Sequence, residues 1–476
     1  MVEGNKKSPH AIFFPYPLQG HVIPAVHFAT KLASLGFTIT FVNTQFIHHQ
    51  ITKSAGDDDI FAEARRSGLD IRYETFSDGF PIGFDRSLNH DQFMEGVLHV
   101  LPAHVDEIVG KLVKYDDDIS MLIADTFFVW PSTIAKKYNL LYVSFWTEPA
   151  LVLSLYYHMD LLRSNGHFGG QDNRHDAIDY IPGVPAIDPK DLMSYLQPKC
   201  EDIFSVVHRI IYKAFNEVKN ADFIIINSVQ ELEHEIIAAL DRNNPTYAIG
   251  PIFPNGFTQR QVSTSLWSES DCTQWLDSKP QRSVLYMSFG SYAFTTKHVI
   301  HEIALGLVQS DVSFIWVLRD DILGSDKQRP LPDGFEEKVQ GRGLVVHWCN
   351  QNKILSHVAV GGFLTHCGWN SILESVWCEV PLLCFPLYTD QFTNRKLVVD
   401  DWKIGDNLCE AQAVQRDEVT RKVEGLIGGE LGKGLRVQVK KIKGVLDGAW
   451  ASGGSSARQF SRFIEDVKVK IDKRSK

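Results

Sequence analysis

Apolar and polar positions along the chain switch between two spacings, and the first fifty residues show both. His10 to Tyr16 is a continuous apolar run, Pro17-Leu18-Gln19-Gly20 breaks it, Val22 to Leu35 carries helical spacing, and Phe37 to Thr44 has the residue types of a strand. Gly36 stands where a glycine closing the helix belongs. Two apolar strands joined by a helix of this length pair in parallel, because the crossover returns the chain in the same direction. The opening therefore predicts a βαβ unit. Further strands are predicted at Ser120 to Phe128, Leu141 to Phe145 and Ala221 to Asn227, which makes the first half an α/β sheet.

The texture changes at Gly250-Pro251-Ile252-Phe253-Pro254-Asn255-Gly256, which runs into a Gln, Ser and Thr-rich stretch ending near Ser270. This reads as an interdomain linker, 250–270, separating a first domain, 1–249, from a second, 271–455. The pattern then restarts, with strands predicted at Ser283 to Phe289, Phe314 to Leu318 and Leu344 to Trp348 and a helix at Lys297 to Gln309. Phe460, Phe463, Ile464 and Val467 share one face of a final amphipathic helix within 456–476, a face that must pack on something and is expected to return to the first domain.

A length of 476 residues agrees with two domains, each able to bury its own core. Hydrophobic residues at 44% and charged residues at 22% are the balance of an ordinary globular protein. A net charge of -10, with no long run of Lys and Arg, argues against nucleic acid as a partner. The seven cysteines form no C-x-x-C pair and read as reduced thiols of a cytoplasmic protein. Met1 to Pro9 is polar, and the apolar run after it carries two prolines and a glycine, so neither a secretory segment nor a membrane span is expected there. The acidic runs Asp57-Asp58-Asp59 and Asp116-Asp117-Asp118 follow loop-like sequence and read as solvated, and His48-His49 and His357 lack zinc-ligand spacing, so no metal site is expected.

Two parallel sheets place ligands at the carboxyl ends of their strands, where helix N-termini offer unpaired N–H groups to anions. A cleft between the domains follows. Neither half carries G-x-G-x-x-G after its first strand, and no G-x-x-x-x-G-K-[ST] occurs, so the dinucleotide and P-loop fingerprints are missing. On the first domain's edge, His21 opens the first helix and Asp125 ends the strand Met121 to Ala124. An imidazole with a pKa near 6.5 is a usable base for an acceptor hydroxyl, and Asp125 would hold its other ring nitrogen.

Residues 348–391 read WCNQNKILSHVAVGGFLTHCGWNSILESVWCEVPLLCFPLYTDQ. This segment resembles the 44-residue signature of plant small-molecule UDP-glycosyltransferases, a family 1 glycosyltransferase group, in length and in nearly every fixed position. PYPLQGHVIP, IADTFF, FWTEPA, GPIFP, CTQWLDSKPQRSVLYMSFGS and ARQFSRFIEDVK resemble their counterparts too, so the likeness covers the whole chain. It implies the GT-B architecture, two Rossmann-like domains facing each other across a cleft. It also implies UDP-glucose as donor substrate, a small-molecule acceptor, no permanently bound cofactor and a monomer.

The resemblance further implies that Trp348 stacks on uracil, with Cys349 and Gln351 beside it, and that Glu374 accepts from the ribose hydroxyls. His366, Asn370 and Ser371, with Ser291 from a neighbouring loop and Gly20 from the facing domain, would cradle the diphosphate. Asp390 and Gln391 would bind the sugar hydroxyls, assisted by Thr147 and the Trp369 backbone, and Gln rather than His at 391 leans towards glucose. Two positions depart from the family pattern. Asn350 replaces a common proline and is expected to loosen the loop after Trp348, whereas Glu379 replaces a glycine and is expected to alter a turn away from the donor.

The expected reaction is one inverting displacement giving a β-glucoside, with His21 as base and no metal. The acceptor pocket is expected at 80–84 including Phe84, at Phe127, Phe128, Phe145, Trp146 and Leu151, with Tyr388 from the second domain. Phenolic, flavonoid, terpenoid and carboxylic acceptors stay open, as does C-glucosylation of an electron-rich ring. A nucleotide-sugar binding protein without catalysis is the alternative from another class, and the His21 and Asp125 pair argues against it.

Overall fold

The computed structural model describes residues 9–55, 59–170, 172–197, 205–254, 257, 265–324, 329–409 and 413–474. Asp57, Asp58, Cys200 and most of the linker between 255 and 264 lie outside the described residues. Seven strands form the first sheet: β1 (His10–Phe14), β2 (Thr38–Thr44), β3 (Ile71–Phe76), β4 (Ile119–Asp125), β5 (Leu141–Trp146), β6 (Phe223–Ile226) and β7 (Thr246–Ala248). Six form the second: β8 (Val284–Ser288), β9 (Ser313–Val317), β10 (Gly343–Val346), β11 (Val360–Thr365), β12 (Leu382–Cys384) and β13 (Gly405–Asn407). All pairings between them are parallel.

The spatial orders are β3-β2-β1-β4-β5-β6-β7 and β10-β9-β8-β11-β12-β13. Each sheet is wound outward from its centre, so the order reverses between β1 and β4 in one and between β8 and β11 in the other. Loops leaving those strands diverge to opposite faces and open a crevice at their carboxyl ends.

The helix after β1 spans Gln19–Ala33, starting ahead of the expected Val22 and placing His21 in its first turn. It ends as its sequence predicts: Gly36 takes φ +85°, and the N–H groups of Gly36 and Phe37 return to the carbonyls of Ala33 and Leu32. Glu379 occupies the equivalent left-handed position, φ +58°, after the helix Trp369–Trp377, with its N–H bonded to the Val376 carbonyl. A glycine would take that conformation without a Cβ penalty.

Residues of the central strands β1, β8 and β11 are buried on both faces, as parallel sheets require. On β1, Ile12 and Phe14 join one apolar cluster, and Ala11 and Phe13 join the other. Phe460, Phe463, Ile464 and Val467 of the last helix, Ser455–Arg474, complete the second cluster. Phe463 meets Tyr247 edge-on at 5.4 Å, Tyr247 donates to Asp466 at 2.6 Å, and Lys470 pairs with Asp222 at 2.7 Å. The chain's last helix thus packs on its first sheet.

Phe463→Ala leaves a cavity where a fully buried ring contacts Phe223 and Tyr247. Chemical denaturation of this variant is expected to show a loss of about 3–5 kcal/mol relative to wild type.

Candidate active site

The reversal between β1 and β4 sets two side chains against each other. His21 follows β1 and Asp125 ends β4, and the His21 Nδ1 lies 2.7 Å from Asp125 Oδ2. Asp125 is 1% exposed, and its other oxygen accepts the Phe127 N–H at 3.0 Å, which fixes the carboxylate plane. Thr147, after β5, brings its hydroxyl to 3.1 Å from the same His21 nitrogen. A carboxylate beside Nδ1 keeps the proton on that nitrogen and leaves Nε2 with a free lone pair. The rings of Tyr16 and Phe127 border the imidazole at 5.5 and 5.6 Å.

The second sheet repeats this arrangement with different chemistry. The loop after β8 carries Gly290 and Ser291, and the loop after β11 carries His366 to Gly368, leading into the helix Trp369–Trp377. A Cβ on Gly290 or Gly368 would stand 2.5 or 2.6 Å from His366 Nε2, so the ring fits only because both neighbours are glycines. Burial, then the nearby Arg319 cation, pushes the His366 pKa down to about 4, so this imidazole is neutral near pH 7. Arg319 is itself buried, pairs with Asp321 at 2.8 Å, and donates to the carbonyls of Gly290 and Ala293, bracing the loop that carries Ser291. With the N-terminal N–H groups of the helix beside it, this corner has the donors an anion needs.

A network extends from this corner to Trp348. Gln351 donates through Nε2 to Glu374 at 2.7 Å and to Ser371 at 3.0 Å, while its oxygen accepts from the Tyr286 hydroxyl at 3.2 Å. Burial raises the Glu374 pKa to about 7, the Gln351 hydrogen bond opposing it. Trp348 stacks on Trp267 with centroids 5.8 Å apart and 29° between planes, and buried Cys349 bridges the backbone of Ser270. Asn350 does not loosen this loop: its oxygen caps the helix Gln351–Leu355 by accepting from Lys353 N–H at 2.9 Å, and its amide donates to Glu269 at 3.3 Å.

Asp390 and Gln391 begin the last stretch. Gln391 Oε1 accepts from the backbone N–H groups of Leu387 and Tyr388 at 2.8 and 2.9 Å, which commits the oxygen and leaves the amide NH2 as a donor. Asp390 accepts from Thr389 at 2.6 Å and from Asn394. Hydrogen bonds that cross between the domains beside these groups include Asn370 Nδ2 to the Gly20 carbonyl at 2.6 Å and Trp369 Nε1 to the Asn227 carbonyl at 2.8 Å. His21, Thr147, Ser291, Trp348, Gln351, His366, Ser371, Glu374, Asp390 and Gln391 border one cavity of about 950 Å³ between the sheets, large enough for a nucleotide sugar and a second molecule together.

The chain matches the family model for UDP-glucoronosyl and UDP-glucosyl transferase over residues 203–434. It is 59% identical to UDP-glycosyltransferase 86A1 of Arabidopsis thaliana across 99% of this chain and 97% of that one. This chain is a plant family 1 UDP-glycosyltransferase. Its fold is GT-B: UGT71G1 of Medicago truncatula, solved with UDP-glucose, superposes with a TM-score of 0.82 at 26% identity, covering 98% of this chain and all of that one (100%). An anthocyanidin 3-O-glucosyltransferase solved with UDP gives 0.82 at 25% identity over 98% and 99% of the two chains.

The glycosyltransferase gathers every donor-side residue expected from the sequence, with His21, Asp125 and Thr147, around that cavity, although Asp125 reaches it only through His21. The acceptor-side expectations divide. Phe127 and Tyr388 line the cavity. Phe145 does not: it points to the opposite face of β5 and stacks on Phe28 at 5.0 Å. Phe84 stacks on Phe80 at 4.5 Å, away from the cavity, and Phe128, Trp146 and Leu151 are core. Residues that sequence reasoning passed over stand in their place: Tyr16 at the end of β1, Met94, Tyr156, Tyr195 and Ile211, and the carboxyl of Glu148. For Glu148 a signal existed, a charged residue at the joint between an apolar strand and a proline.

Among the described residues no three His, Cys, Asp or Glu side chains converge as metal ligands. His48 is bonded to Tyr73, His357 to Asp277, and Asp116 to Arg72. No described helix is long and apolar enough to cross a membrane.

Between pH 4.5 and about 7 the folded glycosyltransferase holds a proton on Glu374 that the unfolded chain has released. Stability contributed by that proton falls as pH rises through this window, by up to about 3 kcal/mol. Thermal melts from pH 5 to 7.5 should therefore decline less steeply for Glu374→Gln than for wild type.

Proposed function

We propose that the protein transfers glucose from UDP-glucose to a hydroxyl of a small lipophilic acceptor with inversion, forming a β-glucoside. The observation that carries this reading is the His21–Asp125 pair, at 2.7 Å, opening onto the same cavity as the segment from Trp348 to Gln391. Residues 1–249 would bind the acceptor and 271–455 the donor. Trp348 would stack on uracil, with Gln351 and Cys349 beside it, and Glu374 would receive the ribose hydroxyls. Neutral His366, Ser291, Asn370, Ser371 and the helix N-terminus would hold the diphosphate, with Gly20 completing the seam. Asp390, Thr147 and the uncommitted amide NH2 of Gln391 would bind sugar hydroxyls. The bound donor of the Medicago relative and the glutamine at 391 support glucose.

In the reaction, His21 Nε2 removes the acceptor proton as the oxygen attacks the anomeric carbon from the side opposite the diphosphate. Asp125 stabilises the imidazolium that forms. UDP departs towards fixed N–H dipoles that need no reorganisation as charge develops on the leaving oxygen. The aromatic wall of Tyr16, Phe127, Tyr156 and Tyr195 supports a flat, largely apolar acceptor. A binding protein without catalysis would have no use for the dyad.

The test is transfer from UDP-glucose to phenolic and terpenoid acceptors, with and without EDTA, the product anomer being read by NMR. His21→Ala should lower kcat roughly 10²- to 10⁴-fold while UDP affinity by calorimetry stays near wild type. An α-linked product, loss of transfer in EDTA, or full activity in the variant would overturn the mechanism.

A further inference from the structure

Glu148 lies between Thr147 and Pro149, where β5 hands over to the helix Ala150–Tyr157, and it lines the cavity. Its Oε2 is buried without a hydrogen-bond partner, and no basic side chain among the described residues pairs with it. A structural role as the cap of that helix is already filled. Glu233 accepts the N–H groups of Ala150 and Leu151 at 2.9 and 2.7 Å and the Ser228 hydroxyl as well. Two acids therefore flank one helix start; one is fully satisfied, and the other faces the cavity with nothing to bind.

The charges acting on Glu148 are of its own sign. Burial foremost, then Asp390 from the facing domain and Asp125 from beside His21, pushes its pKa well above the usual carboxylate range. A carboxyl kept neutral is a hydrogen-bond donor, whereas its ionised form could only accept. Asp390 is committed to Thr389 and Asn394, and Asp125 to His21 and Phe127. The buried Tyr156 feels the Glu148 charge, and the Phe127 ring stands 6.4 Å from the Tyr156 ring, so aromatic surface borders this carboxyl. An unmet buried polar group is costly, and a ligand that satisfies it recovers that cost on binding.

We propose that Glu148 is the specificity-determining residue for the acceptor. Its carboxylic acid O–H donates a hydrogen bond to a neutral oxygen of the acceptor, a carbonyl or second hydroxyl, while the hydroxyl to be glycosylated lies against His21. Neutral oxygenated acceptors are thereby preferred over carboxylates, which would bring a negative charge close to Asp125 and Asp390. The assignment rests on the transferase reading above.

The experiment compares three acceptors, a phenol bearing a carbonyl group, the same phenol without it, and the matching benzoate, across wild type, Glu148→Gln and Glu148→Ala. Wild type should favour the carbonyl-bearing phenol and use the benzoate least. Glu148→Ala should raise KM for the carbonyl-bearing phenol about 10- to 100-fold, a change the plain phenol does not show, with KM for UDP-glucose within about twofold of wild type. Glu148→Gln, which keeps an N–H donor, should recover most of the loss. Because Glu148 has no partner in the fold, neither variant should lower the thermal midpoint. Transfer by Glu148→Ala with unchanged selectivity, an effect on donor KM alone, or a wild-type preference for the benzoate overturns this assignment and leaves the transferase reading intact. Absence of transfer from UDP-glucose to any acceptor by wild type overturns both.

Discussion

Parallel pairing of the strands is the constraint from which the rest of this molecule follows. A parallel strand can be reached only by a crossover, so all the loops that follow strands gather at one edge of each sheet, and reversal of the strand order parts the central pair. His21 and Asp125 meet because β1 and β4 are neighbours in space though 104 residues separate the two side chains. The loops carrying Ser291 and His366 meet for the same reason at β8 and β11. One geometric rule, applied twice, thus supplies a base on one wall and an anion corner on the other.

The two walls use burial in opposite ways. Asp125 is buried but bonded at both oxygens, so its charge has partners and can hold an imidazole in one tautomer. His366 is buried beside Arg319, and both effects favour its neutral ring over an imidazolium cation. Glu374 and Glu148 are buried acids pushed towards their neutral forms. Titratable groups are tuned here by what surrounds them more than by what they are.

Much of this was legible in the residues themselves. The βαβ opening, the restart after the linker and the amphipathic last helix were readable because their apolar spacing is strong and their breaks are marked by proline and glycine. β3, β7, β12 and β13 went unnoticed: the last three are only three residues long, and Ile71–Phe76, at a sheet edge, alternates with Arg72 and Glu74. The wall from Trp348 to Gln391 was legible because those residues fall in one continuous segment. The acceptor wall was not, since its side chains come from elements scattered between Tyr16 and Ile211. Phe145 shows the physical obstacle: in a strand buried on both faces every position is apolar, so composition does not tell which face meets the ligand. Asn350 shows another, that a residue unlike its relatives can restore with its side chain the restraint a ring would have supplied.

The return of the last helix to the first sheet has a consequence for how the chain is made. Synthesis runs from the amino end, and the first sheet is complete once Ala248 has left the ribosome, yet the cluster on one of its faces still lacks Phe460, Phe463, Ile464 and Val467. Those side chains follow only after the whole second sheet has been made. The nascent first domain must therefore carry an uncovered apolar face throughout synthesis of the second.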